Sequence, residues 1–540
     1  LESLPGGGQP VRPEPRRRLA RHLPLLRLRP VMLNQGLGSW IHKRRVKSRG
    51  HTAITDGSLT LTYEQLAERI DRLSNALTGH GDKRGDRVAY LGNNHPAFLE
   101  TLFACGSIGA VFVPLNTRLA PQEVAFALED SGTNLLINAR QCDDLALAAS
   151  TVARIAGRLV VESGPNVGSY EKAIRAASAE HQECAVSLND TCMILYTSGT
   201  TGNPKGAILT HGNLTWNALN VLVDYDVTST QVALMIAPMF HAASLGMGAL
   251  PTLLKGGTLV LQDRFEPAAV LAAIEHHGIT TLSGVPTTYQ MLSEDPNWHS
   301  TDLSSIRMLT CGGSAVPMRV LDAYEARGLS FSGGYGMTET SPGATSLQPR
   351  YSREKAGSAG LPHFFTDIRI VNAEGRDAVG NEVGEILIQG PNVIPGYWNR
   401  LDATASSFQD GSWLKSGDMG YVDDQGFLYI ADRIKDMIIS GGENIYAAQV
   451  EQAIMELPSV ASVAVIGVPD EKWGESVHAV IVPSEGRSVT REDIVAHLDG
   501  KLARYKIPRT VDIVQDLPRT ASGKIRKTEL RETYRRSTLA

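Results

Sequence analysis

Y-T-S-G-T-T-G-N-P-K-G, from Tyr196 to Gly206, is the stretch on which the reading of this chain turns. It follows an apolar, strand-like run, Cys192 to Tyr196. Its glycines permit the positive-φ backbone needed to fold N–H groups around an anion. Thr197, Ser198, Thr200 and Thr201 add hydroxyl donors, and Lys205 adds charge. A P-loop would need G-x-x-x-x-G-K-[ST], with a hydroxyl after the lysine to hold Mg²⁺. Here Pro204 precedes Lys205 and Gly206 follows it, so that motif fails at two positions. Clusters of Gly, Ser, Thr and Pro also mark ordinary solvated turns. Against the ordinary turn stands a second segment more than three hundred residues downstream, P-R-T-A-S-G-K-I-R-K from Pro518 to Lys527, which sets Lys524 after Gly523. Together the two segments suggest one nucleotide gripped by two separate parts of the chain.

The bulk properties fit such a protein. At 540 residues the chain exceeds what one core serves and implies two or three domains. A hydrophobic content of 42% with 20% charged residues is that of an ordinary globular protein. Residues 1–31 hold seven arginines and two glutamates, which leaves about −10 on the rest of a chain whose net charge is −5. The main body thus lacks the basic footprint of nucleic-acid binding. The five cysteines (Cys105, Cys142, Cys184, Cys192, Cys311) show no C-x-x-C spacing, which points to reduced thiols in the cytoplasm and no zinc site.

Residues 1–31 are rich in Pro and Arg, contain Gly6–Gly8, lack hydrophobic periodicity and are too charged for a secretory signal. They are expected to be a non-native or disordered leader ahead of a natural start at Met32; a basic membrane-binding arm is the alternative. Val232 to Leu254 runs 23 residues without Asp, Glu, Lys or Arg, long enough to span a bilayer. Pro238, His241, Gly246, Gly248 and Pro251 within it favour a buried strand, a bend at Pro238–His241 and an interior helix.

Short apolar strands alternate with amphipathic helices through the first four hundred residues: Arg87–Leu91, Pro96–Ile108, Ala110–Val113, Pro121–Leu128, Leu135–Ile137. The pattern predicts α/β layers with largely parallel sheet. A boundary falls near Ala431–Lys435. Beyond it come a helix over Ala447–Leu457, strands over Ala461–Val468 and Val477–Val482, a helix over Arg491–Leu502 and a strand over Val511–Val514, enough for a compact α+β domain.

Further motifs follow in order: P-M-F-H-A-A-S at Pro238–Ser244, G-Y-G-M-T-E at Gly334–Glu339, S-G-D at Ser416–Asp418, and D-R-I-K-D-M-I-I-S-G-G-E-N at Asp432–Asn444. With the two segments above, these make the chain from Met32 onward resemble the AMP-forming acyl-CoA synthetases of the adenylate-forming superfamily. That superfamily also holds firefly luciferase and peptide-synthetase adenylation domains. The resemblance implies a large, multi-layered N-terminal adenylation domain over 32–431, a hinge at 432–436 and a small, mobile α+β domain over 437–540. It further implies ATP, CoA and Mg²⁺ as cofactors, and a small carboxylic acid as substrate. Neither nucleic acid nor an integral membrane is expected as a partner; monomer and homodimer both stay open.

The resemblance also assigns roles. Thr197, Ser198, Gly199, Thr200, Thr201 and Lys205 would cradle the β- and γ-phosphates. Tyr335 would stack on adenine, with Gly334 allowing close approach. Thr338 would bond the α-phosphate, and Glu339 with Thr200 would hold Mg²⁺. Asp418 would accept from the ribose hydroxyls, supported by Arg433. Lys524 would be the cation of adenylation. For the second half-reaction Lys435 would be the pivot that swings Lys524 away, with Gly441, Gly442 and Trp473 lining the pantetheine path. A core position suits Trp473 equally well. His241 would gate the acid rather than act as a base, because the attacking carboxylate is already ionised. Where relatives often carry Pro-x-Glu, this chain has Ala447-Ala448-Gln449.

The acid pocket is expected to include His241, Ala243, Ser244, Met247, Gly313 and Gly333, mostly small or apolar, with no evident cation for a second carboxylate. Asn34–Trp40, Thr210–Asp224 and Ala356–Asp367 look similar to bacterial feruloyl-CoA synthetases and also to actinobacterial fatty-acid–CoA ligases. A hydroxycinnamate is therefore the first expectation and a medium- or long-chain fatty acid the second. A stand-alone adenylation enzyme loading a carrier protein is the alternative of another class.

Overall fold

Alternation along one strand, Arg87–Leu91, sets the layering. Val88 and Tyr90 pack into one hydrophobic cluster while Ala89 and Leu91 pack into another, as the two-residue period of a strand requires. The computed structural model describes residues 34–57, 59–155, 157–162, 168–182, 184–197, 204–313, 316–440, 443–470, 472–520 and 523–538. Ser198, Gly199, Thr200, Thr201, Gly441 and Gly442 lie outside the described residues, as do residues 1–31.

Two sheets form the large part. One has six strands in the order Gly157–Val161, Thr133–Ala139, Arg87–Leu91, Val111–Leu115, Thr191–Thr197, Lys205–Thr210. The other has nine, with Phe331–Gly336, Met308–Gly312, Thr281–Gly284, Val232–Met235, Thr258–Leu261 and Thr52–Thr55 parallel at its centre and antiparallel strands at both margins. The helix Pro96–Ile108 is buried along its whole length. Its cluster draws on both sheets, through Phe112 and Met193 from one and Ile54 and Leu259 from the other. Helices Pro121–Ser131 and Asp143–Ala153 cover the far face of the six-stranded sheet. Helices Pro267–His277, Pro286–Glu294 and Met318–Glu325 cover that of the nine-stranded sheet. The result is a five-layer α/β stack. Strands buried on both faces read as continuous apolar runs, which is why they were legible.

The charge-free run is divided as its prolines and glycines require: strand Val232–Met235, a bend, a π-helical turn at Ser244–Ala249, then helix Leu250–Lys255. Among the described residues no helix is long and apolar enough to cross a membrane.

Residues 367–433 depart from the expected alternation. They build an antiparallel sheet of Asp367–Val371, Gly384–Gln389, Phe408–Gln409, Trp413–Val422 and Leu428–Arg433. Consecutive strands here are joined by turns and loops with one short helix, Leu401–Ser406, and no helix long enough to cover the sheet as a parallel crossover would. From Ile438 onward the chain makes its own cores. Strands Val460–Asp470 and Gly474–Pro483 pair along their length, with helices Ala447–Ile454 and Arg491–Leu498 on one face. Leu530 of the terminal helix lies on the other face. The helix after Tyr446 starts at Ala447 without proline, and the Ala448 N–H donates to Asp432 Oδ2 at 3.2 Å.

Glu100, on the central helix and 0% exposed, accepts from Arg69 Nε at 2.5 Å and from the Tyr170 hydroxyl at 2.6 Å, and Arg69 also pairs with Glu171. Removing the carboxylate leaves the buried Tyr170 hydroxyl without its acceptor and Arg69 with Glu171 alone. Glu100→Ala is expected to cost about 1–3 kcal/mol by chemical denaturation, and an unchanged midpoint would refute the role.

Candidate active site

The C-terminal ends of the parallel strands converge on one cleft, where open α/β sheets place their ligands. Strand Phe331–Gly336 carries Gly333, Gly334 and Tyr335 to its end, and a 3₁₀ turn, Thr338–Thr340, follows. A Cβ on Gly334 would sit 2.9 Å from the Thr345 carbonyl oxygen and 3.2 Å from the Tyr225 hydroxyl, so only glycine fits. Tyr335 donates its hydroxyl to Asp418 Oδ2 at 2.6 Å. Burial, and then the Asp418 charge, hold that phenol well above its ordinary pKa, so it remains a donor.

Asp418 lies opposite Arg433 in the register of strands Trp413–Val422 and Leu428–Arg433, and Arg433 Nε is 3.2 Å from Asp418 Oδ1. The carboxylate is thus fixed from both sides: a phenol of the nine-stranded sheet on one oxygen, a guanidinium of the antiparallel sheet on the other.

Lys205 opens strand Lys205–Thr210 opposite Thr197. Its ammonium stands 5.4 Å from the centre of the Tyr397 ring, and the Tyr397 hydroxyl donates to Glu339 Oε1 at 2.8 Å. Tyr397 therefore links Lys205 to the buried carboxylate of Glu339. The Trp398 N–H donates to the Gly206 carbonyl at 2.7 Å and the Ile394 N–H to the Glu339 carbonyl at 3.0 Å. Sequence reasoning missed Tyr397; the P-G-Y-W run at Pro395–Trp398 was its available signal.

The bend after Val232–Met235 is held by Asn94, a second residue that was missed. Its Nδ2 donates to the Met235 and Ala237 carbonyls at 3.1 and 3.0 Å, and its Oδ1 accepts from the Met239 N–H at 2.8 Å. His241 follows, with Nε2 buried and unpartnered. Burial first, then Lys524 and Arg118, lower its pKa to about 4. Ala243 is exposed, Met247 is half-buried against Val221 and Tyr225, and the Gly333 carbonyl accepts from the Tyr225 hydroxyl at 3.0 Å. Ser244 is the exception among the expected pocket residues: it is 5% exposed and donates its hydroxyl to the Ala237 carbonyl at 2.8 Å, leaving no donor for an acid.

Lys524 reaches this cleft from the other folding unit. Arg519 and Ile525 form an antiparallel bridge around it, and its N–H donates to Thr520 Oγ1 at 3.1 Å. Its Cε lies 3.5 Å from where a Cβ on Gly313 would stand; Gly313 itself has φ +87°. Lys524 is open to solvent along the cleft yet closely surrounded by protein. Desolvation, reinforced by Arg433 and offset by Asp418, holds its ammonium below the ordinary lysine pKa. Lys435 is also lowered, by desolvation first and then Arg433.

The structure thus brings together His241, Gly313, Gly333, Gly334, Tyr335, Asp418, Arg433, Lys435 and Lys524, with Thr338, Glu339 and Lys205 alongside. Trp473 lies apart on the small unit's surface, 36% exposed, with Lys472 and Arg509 over its ring; the core position is excluded.

The family model of the AMP-binding enzyme matches residues 42–398, and that of the AMP-binding enzyme C-terminal domain matches 449–524. A feruloyl-CoA synthase from Amycolatopsis is 50% identical over 505 residues, covering 93% of this chain and 100% of that protein. An indoleacetate–CoA ligase from Aromatoleum aromaticum is 41% identical over 506 residues, covering 93% and 99%. Among solved structures, ATP-bound MatB from Rhodopseudomonas palustris superposes with a TM-score of 0.86 at 31% identity, covering 93% of this chain and 99% of that one.

A neutral His241 has a direct readout. In histidine-labelled protein, with the signal assigned through His241→Gln, the imidazole is expected to titrate near pH 4 and stay neutral through the neutral range. A midpoint near the ordinary value of about 6.5 would contradict the packing around it.

Proposed function

This chain belongs to the AMP-binding enzyme family as an AMP-forming acyl-CoA synthetase, and from that we propose that it activates a hydroxycinnamate such as ferulate with ATP and transfers it to CoA. The observation that carries the reaction is the convergence of Lys524, from the C-terminal unit, on Asp418, Arg433 and Gly313 of the large unit.

A carboxylate is a poor acyl donor because its leaving group would be oxide. Attack of its oxygen on the α-phosphorus of ATP expels pyrophosphate and leaves AMP as the leaving group of a mixed anhydride. Two anions must meet, so catalysis rests on placing donors and cations where charge develops. Lys524 serves as that cation. Asp418 takes the ribose hydroxyls, Tyr335 the adenine face, and Thr338 the α-phosphate. Lys205, with Thr197, Ser198, Gly199, Thr200 and Thr201, takes the outer phosphates. Glu339, a buried carboxylate oriented by Tyr397, has the hard oxygen that Mg²⁺ prefers and would hold it with Thr200. The metal supplies charge neutralisation on the phosphates. His241, being neutral, closes and orients the acid without competing for its proton.

CoA thiolate then attacks the acyl carbon and AMP leaves. Lys524 and the thiol cannot occupy one position, so rotation about Lys435 withdraws the former and presents Gly441, Gly442 and Trp473. The exposure of Trp473 supports a surface that meets a ligand.

The aromatic acid is supported by two relatives whose names carry aromatic acids, and by a wall of Ala243, Met247, Gly313 and Gly333 that offers room without charge. Five free cysteines support a cytoplasmic setting.

Pyrophosphate release with MgATP and CoA, compared across ferulate, p-coumarate, benzoate, octanoate and palmitate, should give the highest kcat/KM with ferulate and a feruloyl-CoA product by mass. Preference for octanoate or palmitate would overturn the acid and leave the reaction in place. Pyrophosphate release without thioester would overturn CoA as the acceptor.

Lys524→Ala is expected to slow adenylation by about a hundredfold or more, ~3 kcal/mol, while CoA transfer from preformed acyl-adenylate stays near wild type. The wild-type kcat/KM should fall as pH rises, because the ammonium is lost, and at a pH below the ordinary lysine value of 10.5. Lys524→Arg should move that limb upward; equal losses in both half-reactions would refute the division of labour.

A further inference from the structure

Far along the chain from the catalytic motifs, helix Gly38–Lys47, helix Tyr63–His80 and segment 178–182 meet at three side chains: His42, Asp71 and His181. Their ligand-type atoms all lie within 4.8 Å of one another. His42 Nε2 is 3.6 Å from Asp71 Oδ1, and His181 Nδ1 is 2.7 Å from the same oxygen. The Asp71 side chain is 1% exposed, that of His42 13% and that of His181 40%. His42 Nε2 and Asp71 Oδ2 are both buried without a hydrogen-bond partner.

We propose that His42, Asp71 and His181 form a binding site for a divalent transition-metal cation of the zinc class, separate from the Mg²⁺ that accompanies ATP. Two imidazoles and one carboxylate are the donors that zinc-like ions take, whereas Mg²⁺ prefers oxygen alone. Metal–ligand distances of about 2.0–2.2 Å in a tetrahedron put ligand atoms roughly 3.4 Å apart. The His42–Asp71 separation already meets that spacing. The His181–Asp71 hydrogen bond must open by about 0.7 Å, a movement left free by the exposed edge of His181. That edge is also the route to solvent and leaves a fourth position for water. Arg45 Nη1, 3.5 Å from Asp71 Oδ2, competes for the carboxylate, but its side chain is 40% exposed and can turn into water.

The plainer account makes Asp71 a shared anion for Arg45 and His181. That pairs Asp71 Oδ1 with His181 and Asp71 Oδ2 with Arg45, and leaves His42 Nε2 buried without a hydrogen bond, a cost that buried polar atoms rarely bear. A bound cation satisfies His42 and ties the two helices to segment 178–182. The absence of paired cysteines, which argued against zinc, has no bearing on a histidine–carboxylate set whose members are far apart in sequence.

Tag-free, full-length protein stripped with chelator and kept free of nucleotide would be titrated with Zn²⁺ by calorimetry, with thermal melting in parallel. One tight equivalent and a raised melting temperature are expected. His181→Ala and His42→Ala should each weaken it by at least ~100-fold, while His80→Ala leaves it intact. Because His181 is exposed, its variant should melt like the metal-free wild type, which keeps the test independent of folding. No tight equivalent in the wild type, or wild-type affinity in His181→Ala or His42→Ala, would overturn the site.

Discussion

The cleft depends on one arrangement: a cation from one folding unit held beside a carboxylate of another. Lys524 sits on a turn of the C-terminal unit, whereas Asp418 and Gly313 belong to the large unit with its own cores. Nothing within either unit alone would place that ammonium near His241 or Arg433. Its lowered pKa records the strain of the placement. Desolvation and Arg433 disfavour the charge, and Asp418 only partly compensates. In the proposed function an anionic phosphate entering between them would supply the missing counter-charge, so the site would be completed by its substrate. This is electrostatic preorganisation with the unfavourable term carried by the free protein.

The same logic explains why the body's net negative charge would be no obstacle to the proposed binding of ATP. Lys205, Arg433 and Lys524 are few, but each is fixed. The first is set by strand pairing and the Tyr397 ring, the second by its register opposite Asp418, the last by a bridged turn. At short range a positioned cation in a partly desolvated cleft outweighs diffuse surface charge, which salt screens.

Much of this was legible in the sequence. Arg87–Leu91 and Pro96–Ile108 were read to their ends, because doubly buried strands and a glycine-capped helix leave clear apolar runs and stops. The motif segments stood out because their Gly, Ser, Thr and Lys come in a fixed order that ordinary turns lack. The antiparallel sheet of 367–433 was not, since its strands alternate with turns and lack the long apolar runs of the parallel core. Tyr397 and Asn94 were missed for a different reason. Each acts through another residue, Tyr397 on Glu339 and Asn94 on the bend before His241, and such partners carry no spacing signature. Ser244 was read as lining the pocket because it is small; its hydroxyl satisfies the Ala237 carbonyl, which a buried turn would otherwise leave unpaired.

The ion pairs flanking the connection argue for where it turns. Arg433 is tied to Asp418 of the large unit, while Asp436 is tied to Arg531 of the terminal helix at 2.6 Å. The first pair can stay and the second can travel, which confines any rigid rotation to Ile434 and Lys435. Ile434 is itself held, its N–H donating to the Gly417 carbonyl at 3.0 Å. Rotation at Lys435 would release the N–H groups of Asp436 and Met437 from the Arg433 carbonyl, now at 2.9 and 3.0 Å, the Ala448 N–H from Asp432 and the Arg319 guanidinium from the Val460 carbonyl, and leave both ion pairs whole. Hydrogen bonds that water can replace are a smaller barrier than the breaking of a partly buried ion pair. The proposed pivot is therefore the point at which the two units can part with the least loss, and the residue there need contribute only backbone freedom and a charge that its surroundings already disfavour.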